Sequence, residues 1–136
     1  MLRAETRARA RALQMLYAWD LTGRPTMVTV ARGMPADGLG RRQRTEASRL
    51  AKAVVEDVGA LDRDIADAAV NWRFERIGVV ERNILRLGLF ELMNPELPAL
   101  VAITEAVKLA HWFAGAKAPG FVNGVLDTLA RRLGRL

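Results

Sequence analysis

Arg3, Arg7, Arg11 and Gln14 step by four, four and three residues. On a helix turning about 100° per residue this spacing lines them along one face. Tyr17 lies beside that line, and Ala8, Ala12, Met15, Leu16 and Trp19 make an apolar face opposite. Guanidinium groups bind phosphate through charge and paired N–H donors. An amide and an aromatic ring at the end of such a stripe offer base-edge hydrogen bonding and stacking, the means by which single-stranded RNA is commonly read. On an ideal helix Arg9 points away, and it joins the stripe only if the first turn frays or bends. The same pattern also suits a solvated face of a surface helix, and its geometry alone leaves both readings open.

The charge distribution points the same way. Residues 1–50 carry ten Arg against four acids, whereas residues 51–136 hold eleven basic and eleven acidic residues. The whole excess of +6 therefore lies at one end and consists of Arg. Such asymmetry suits a polyanionic partner, or a merely soluble basic surface. Enzymatic chemistry is poorly supplied. The chain has no Cys, which excludes disulfides, thiolate nucleophiles and cysteine-ligated metals. Its one His, His111, falls on a helix rim, and no Gly-rich phosphate loop follows a strand. No catalytic residue, metal or cofactor is expected. Asp62, Asp64 and Asp67 read as an acidic helix start complementing the macrodipole. Met1 to Arg11 has no apolar h-region and no stretch is long enough to span a bilayer, so a cytoplasmic chain is expected.

The elements that must position these residues are helical. Good helix formers run from Ala4 to Leu21, ended by Gly23 and Pro25. Residues 23–40 read as a loop with one helical turn near Met27 to Arg32. Further helices are expected over Arg44 to Val58, stopped by Gly59, and over Asp62 to Val70. Three more follow, Arg76 to Met93, Ala99 to Ala114, and Pro119 to Leu133 with Pro in its favoured first turn. Val28-Thr29-Val30 is β-prone but too short to build a sheet. The helix from Arg76 is apolar nearly all round, which places it centrally, and Glu91 on its Val80–Ile84–Leu87 line needs a buried partner. Ala102, Ala106, Leu109, Ala110 and Phe113 form a core face, with Trp112 on the other side. Val122, Leu126, Leu129 and Leu133 form another, and Phe121 falls off it. Asn123 and Asp127 read as structural hydrogen-bonding residues, and Gly124 as permitting close helix packing.

Arg7-Ala8-Arg9 leading into Ala12-Leu13-Gln14-Met15-Leu16-Tyr17-Ala18-Trp19 resembles the arginine-rich first helix of the NusB family. The stretch WRFERIGVVERNILRLGLFEL from Trp72 to Leu92 is similar to that family's central motif. AITEAVKLAHWFA from Ala102 to Ala114 resembles the helix after it, and FVNGVLD from Phe121 to Asp127 matches its terminal signature. The resemblance covers both ends of the chain, and residues 22–60 match only as helix and loop.

The resemblance implies an all-α fold of about seven helices in two small packed bundles. It implies a single RNA-binding domain over 1–136, with an N-terminal helical subdomain over 1–70 and a C-terminal one over 71–136. It also implies a transcription antitermination factor that, with the ribosomal protein NusE, binds boxA RNA of nascent ribosomal RNA leaders. Together they help assemble the antitermination complex on RNA polymerase, without membrane or small-molecule substrate. The family's RNA contacts carry over to Arg7, Arg9, Gln14, Tyr17 and Phe121, and its NusE contacts to Glu81, with Arg86 beside it. The loop before Phe121, Ala116 to Gly120, lacks the acids often found there, so Lys117 adds to RNA attraction. Two alternatives come with the family. One is a module like the RNA-binding part of ribosomal RNA cytosine methyltransferases, whose catalytic Cys this sequence lacks. The other is a homodimer that buries its RNA face.

Overall fold

The computed structural model describes residues 3–136, and among these seven α-helices and one 3-10 turn account for all regular structure. They run α1 (Ala4–Leu21), α2 (Met27–Gly33), α3 (Arg41–Glu56), α4 (Val58–Ala68), a 3-10 turn (Phe74–Arg76), α5 (Val79–Leu92), α6 (Ala99–Phe113) and α7 (Ala118–Arg132). No helix among the described residues is long and apolar enough to cross a membrane. The chain divides into two compact units, residues 1–56 and 57–136.

In the first unit α1 packs along α3, and α2 touches both. Ala47, Leu50, Ala51 and Val54 follow the i, i+3, i+4, i+7 spacing and are all buried, as are Ala8, Ala12, Met15, Leu16 and Trp19 of α1. Small alanines on both helices suit a close approach of their axes. Gly23, at φ +82, supplies the left-handed residue that ends α1. Arg24 also sits at positive φ, where its guanidinium lies 4.5 Å over the Trp19 ring and bonds to Asp20 at 3.3 Å. The expected single turn after Pro25 is a seven-residue helix, because the Thr26 hydroxyl accepts the Thr29 amide at 3.3 Å and caps it.

In the second unit α5 is central and packs on α4, α6 and α7. Helix α4, expected with the N-terminal part, thus belongs to this layer. It starts at Val58, so Gly59 lies in its first turn and does not stop α3, and Asp62, Asp64 and Asp67 lie beyond the helix start. Asp62 and Asp67 are instead ion-pair partners, of Arg86 and Arg132. Ile84, Leu85, Leu87, Leu89 and Leu92 are buried on all sides of α5. Close packing depends on Gly88, where a Cβ would stand 2.8 Å from a Leu126 methyl, and not on Gly124, where a Cβ would meet nothing within 4 Å. Phe113 continues the buried stripe of α6 but is 40% exposed, since it is the last residue of its helix, beside the turn into α7. Asp127 bonds to Arg131 at 2.9 Å, an exposed pair within α7.

Candidate nucleic-acid interface

The first unit presents the foreseen face of α1 in part. Arg3, Arg7, Gln14 and Tyr17 are exposed, Tyr17 at 42%. They share one side of the helix because Thr6, Ala8, Ala12, Met15 and Leu16 occupy the other and are buried. Arg9 is not among them. It is only 9% exposed, and its charge acts on Glu46 of α3. The Glu46 carboxyl is held below its ordinary range first by its hydrogen bond from Arg49, against burial, and then by the charges of Arg49 and Arg9. An orderly helix therefore turns Arg9 inward, as the 100° step requires.

Arg11 departs from the expected stripe. It too is 9% exposed, and the segment between α2 and α3 has closed on it. Its guanidinium donates to the Asp37 carboxylate at 2.8 Å and to the Pro35 carbonyl at 3.4 Å. Arg7 donates to the Asp37 carbonyl at 3.3 Å. Asp37 is held in place by the Leu39 amide, which donates to its other carboxylate oxygen at 3.0 Å. Burial raises the pKa of this carboxyl, but the Leu39 amide and the Arg11 guanidinium outweigh it, so the group lies below the usual carboxylate range. The buried Nε–H of Arg11 has no hydrogen-bond partner among the described residues. Asp37 thus occupies Arg11 as a phosphate would, and the bond to Arg7 keeps that side chain beside it.

The second unit presents a different surface. Phe121, half-buried in the first turns of α7, meets Trp72 in a T-shaped contact with ring centroids 5.3 Å apart and planes at 65°. Trp72 is 58% exposed. The pair walls a cleft of about 260 Å³ that Arg76, Lys117 and Glu81 also line. Glu81 stands at the third position of α5 and folds back over Gly78, where a Cβ would lie 2.5 Å from its Oε2. A carboxylate in the first turn favours the helix dipole, and only glycine leaves it that room. Trp72 is a residue of this surface that the sequence alone did not single out. The signal for it is an aromatic beside Arg73 and close to Arg76 in a polar stretch between helices.

Arg86, suggested as a partner contact, is fully buried and corrects that assignment. It donates to both carboxylate oxygens of Asp62, each at 2.7 Å, and to Asn83 Oδ1 at 2.9 Å, and it lies 5.8 Å from the Phe74 ring centroid. A guanidinium leaves water only when its donors are met in this way. Its role is to tie α4 to α5.

Comparison with known proteins places these features in a family. The model of the NusB family matches residues 6–131. The transcription antitermination protein NusB of Sorangium cellulosum is 44% identical over 98% of this chain and 96% of its own length. That of Helicobacter hepaticus is 39% identical over 93% of this chain and 81% of its own. Among solved structures, T. maritima NusB superposes with a TM-score of 0.85 at 25% identity, covering 96% of this chain and 93% of that one. A chain in the crystal structure of antitermination factors NusB and NusE in complex with dsRNA matches at a TM-score of 0.78 and 28% identity, over 97% and 99% of the two chains. With a family model spanning nearly the whole sequence and relatives of this identity, the chain belongs to the NusB family.

Proposed function

We propose that this chain is a transcription antitermination factor. It binds boxA-type RNA of nascent ribosomal RNA leaders together with NusE, and the pair helps assemble the antitermination complex on RNA polymerase. It works in the cytoplasm as a binding module and not as an enzyme. The observation that carries this reading is the exposed side of α1, where Arg3, Arg7, Gln14 and Tyr17 stand together. Cations fix the backbone, and the amide and ring meet unstacked bases. The solved NusB–NusE complex with dsRNA supports it by family.

Arg3, Arg7, Gln14, Tyr17, Lys117 and Phe121 are proposed RNA contacts. Arg11 joins them only after Asp37 lets go, and Arg9 serves α1–α3 electrostatics instead. Glu81, half-exposed at the start of α5, is proposed as the NusE contact. The test is titration of a boxA-type oligonucleotide with and without NusE across a salt series. The expected result is weak binding alone, stronger binding with NusE, and a steep dependence on salt. Salt-independent binding, or none with NusE present, would overturn the reading.

A further inference from the structure

We infer that the outer face of α3 holds the phosphate backbone of the RNA that flanks the element met by α1. The inference rests on the proposed RNA-binding role and deepens it, because it names a second, sequence-independent contact on the same unit.

The unengaged cations of the first unit gather on this helix. Asp37, Asp20 and Glu46 pair with Arg11, Arg24 and Arg49, and the charge of Arg9 acts on Glu46. Arg41, Arg42, Arg44 and Lys52 are exposed and pair with no acid among the described residues. At about 100° per residue, Ala47, Leu50, Ala51 and Val54 share one side of α3 and are buried. Arg41, Arg44, Thr45, Ser48 and Lys52 therefore lie on the opposite side, over roughly 16 Å of helix. Arg41, Arg42 and Arg44 also crowd the first four residues, at the positive end of the helix dipole, and that turn holds no acid. The placement disfavours the helix, and an anion brought alongside relieves it.

The make-up of the face decides its occupant. Between the cations stand Thr45 and Ser48, whose hydroxyls also bond phosphate oxygens. No large apolar or aromatic side chain of α3 is exposed to anchor a protein partner or to stack on a base. Arg outnumbers Lys, as phosphate recognition favours. The apolar side of α3 is buried where the helix packs on α1, so it is not free to enter a lipid surface. The face also continues the proposed one on α1. Arg7 donates to the Asp37 carbonyl at 3.3 Å, and a Cβ on Gly38 would stand 3.8 Å from its guanidinium. Helix α3 begins just beyond, at Arg41, so one strand can pass from α1 onto α3.

The experiment uses the full chain with NusE present. A minimal boxA-type oligonucleotide is compared with versions extended by uridines at either end. In wild type one extension should raise affinity roughly tenfold near physiological salt and steepen the salt dependence. A variant combining Arg41→Gln, Arg44→Gln and Lys52→Gln should lose that gain, its slope flattening by about 0.7 for each phosphate contact removed. It should bind the minimal oligonucleotide as wild type does, because charges beyond about 8 Å are screened at that salt. Arg41→Lys with Arg44→Lys should keep most of the gain, since charge carries it. Unfolding of the Gln variant should match wild type or need a higher temperature, because cations leave the positive helix end. Clearly lower stability would make these side chains structural and overturn the inference. Equal affinity for short and extended RNA would overturn it too, as would an extension gain that survives in the Gln variant, and both leave the α1 reading intact. Normal RNA binding with impaired NusE assembly would assign the face to protein instead. Absence of any RNA binding by wild type would overturn both readings.

Discussion

The α1 face and the aromatic cleft offer different chemistry to a ligand. The α1 face is built of charge on a rigid helix, and its cations point outward because alanines and leucines behind them are buried. The cleft is built of rings on loop and helix start, and its cations stand at its margin. One is suited to a phosphate backbone, the other to a flat apolar group. The first is also restrained in a way the second is not. Of the arginines read along α1, Arg11 is already engaged by Asp37, Arg7 donates to the Asp37 carbonyl, and Arg9 is turned inward, where its charge acts on Glu46. A count of arginines therefore overstates the free positive surface.

The second unit also holds a buried ion pair, Arg86 with Asp62, which ties α4 to α5. Arg86→Ala would remove a buried guanidinium and strand Asp62, and breaking such a pair costs about 3–5 kcal/mol. Thermal unfolding should show this as the largest effect of any single substitution named here. Unchanged unfolding would mean that the pair contributes specificity and little stability. Glu81→Lys should impair assembly with NusE by roughly 2–5 kcal/mol while leaving the fold intact, measured by co-purification and by unfolding of the variant alone. Tyr17→Ala should cost less: about 1–3 kcal/mol of RNA affinity and little stability, because the ring is 42% exposed. Comparable decreases in stability and affinity would make Tyr17 a packing residue.

The smallest effect carries the sharpest contrast. Asp37→Ala should free Arg11 and loosen Arg7, strengthening RNA binding by up to about 1 kcal/mol and steepening its salt dependence. The same variant should be slightly less stable, since an ion pair and a loop clasp disappear together. Weaker RNA binding would show that the clasp pre-orders the arginines for RNA and does not compete with it.

Much of this fold was legible because helix periodicity and Gly/Pro punctuation agree. The bounds of α1 coincide with the expected ones, and the all-round apolar pattern of α5 correctly marked the central helix. What was not legible depended on contacts distant in sequence. Nothing near Asp37 announces that it reaches back 26 residues to Arg11, and nothing near Arg86 announces a bond to Asp62, 24 residues earlier. Phe113 shows another limit: a stripe gives direction, but burial also requires a neighbour long enough to cover the helix end. Within the candidate site, Gln14 and Tyr17 were placed by helix geometry alone. Trp72 is marked in the sequence only by its basic neighbours, because residues outside a helix have no periodicity from which to read a face.

If the exposed arginines of α1 hold the RNA backbone, Arg7 is the residue on which to ask it. Affinity for a boxA-type oligonucleotide, with NusE present, is measured from low to high salt for wild type and Arg7→Ala. Removing one phosphate-binding cation from a single-strand complex should flatten the slope of log affinity against log salt by about 0.7. Arg7→Ala should therefore bind more weakly at low salt and converge on wild type as salt rises. Equal affinities and parallel slopes would contradict this role for α1 and place the RNA on another surface.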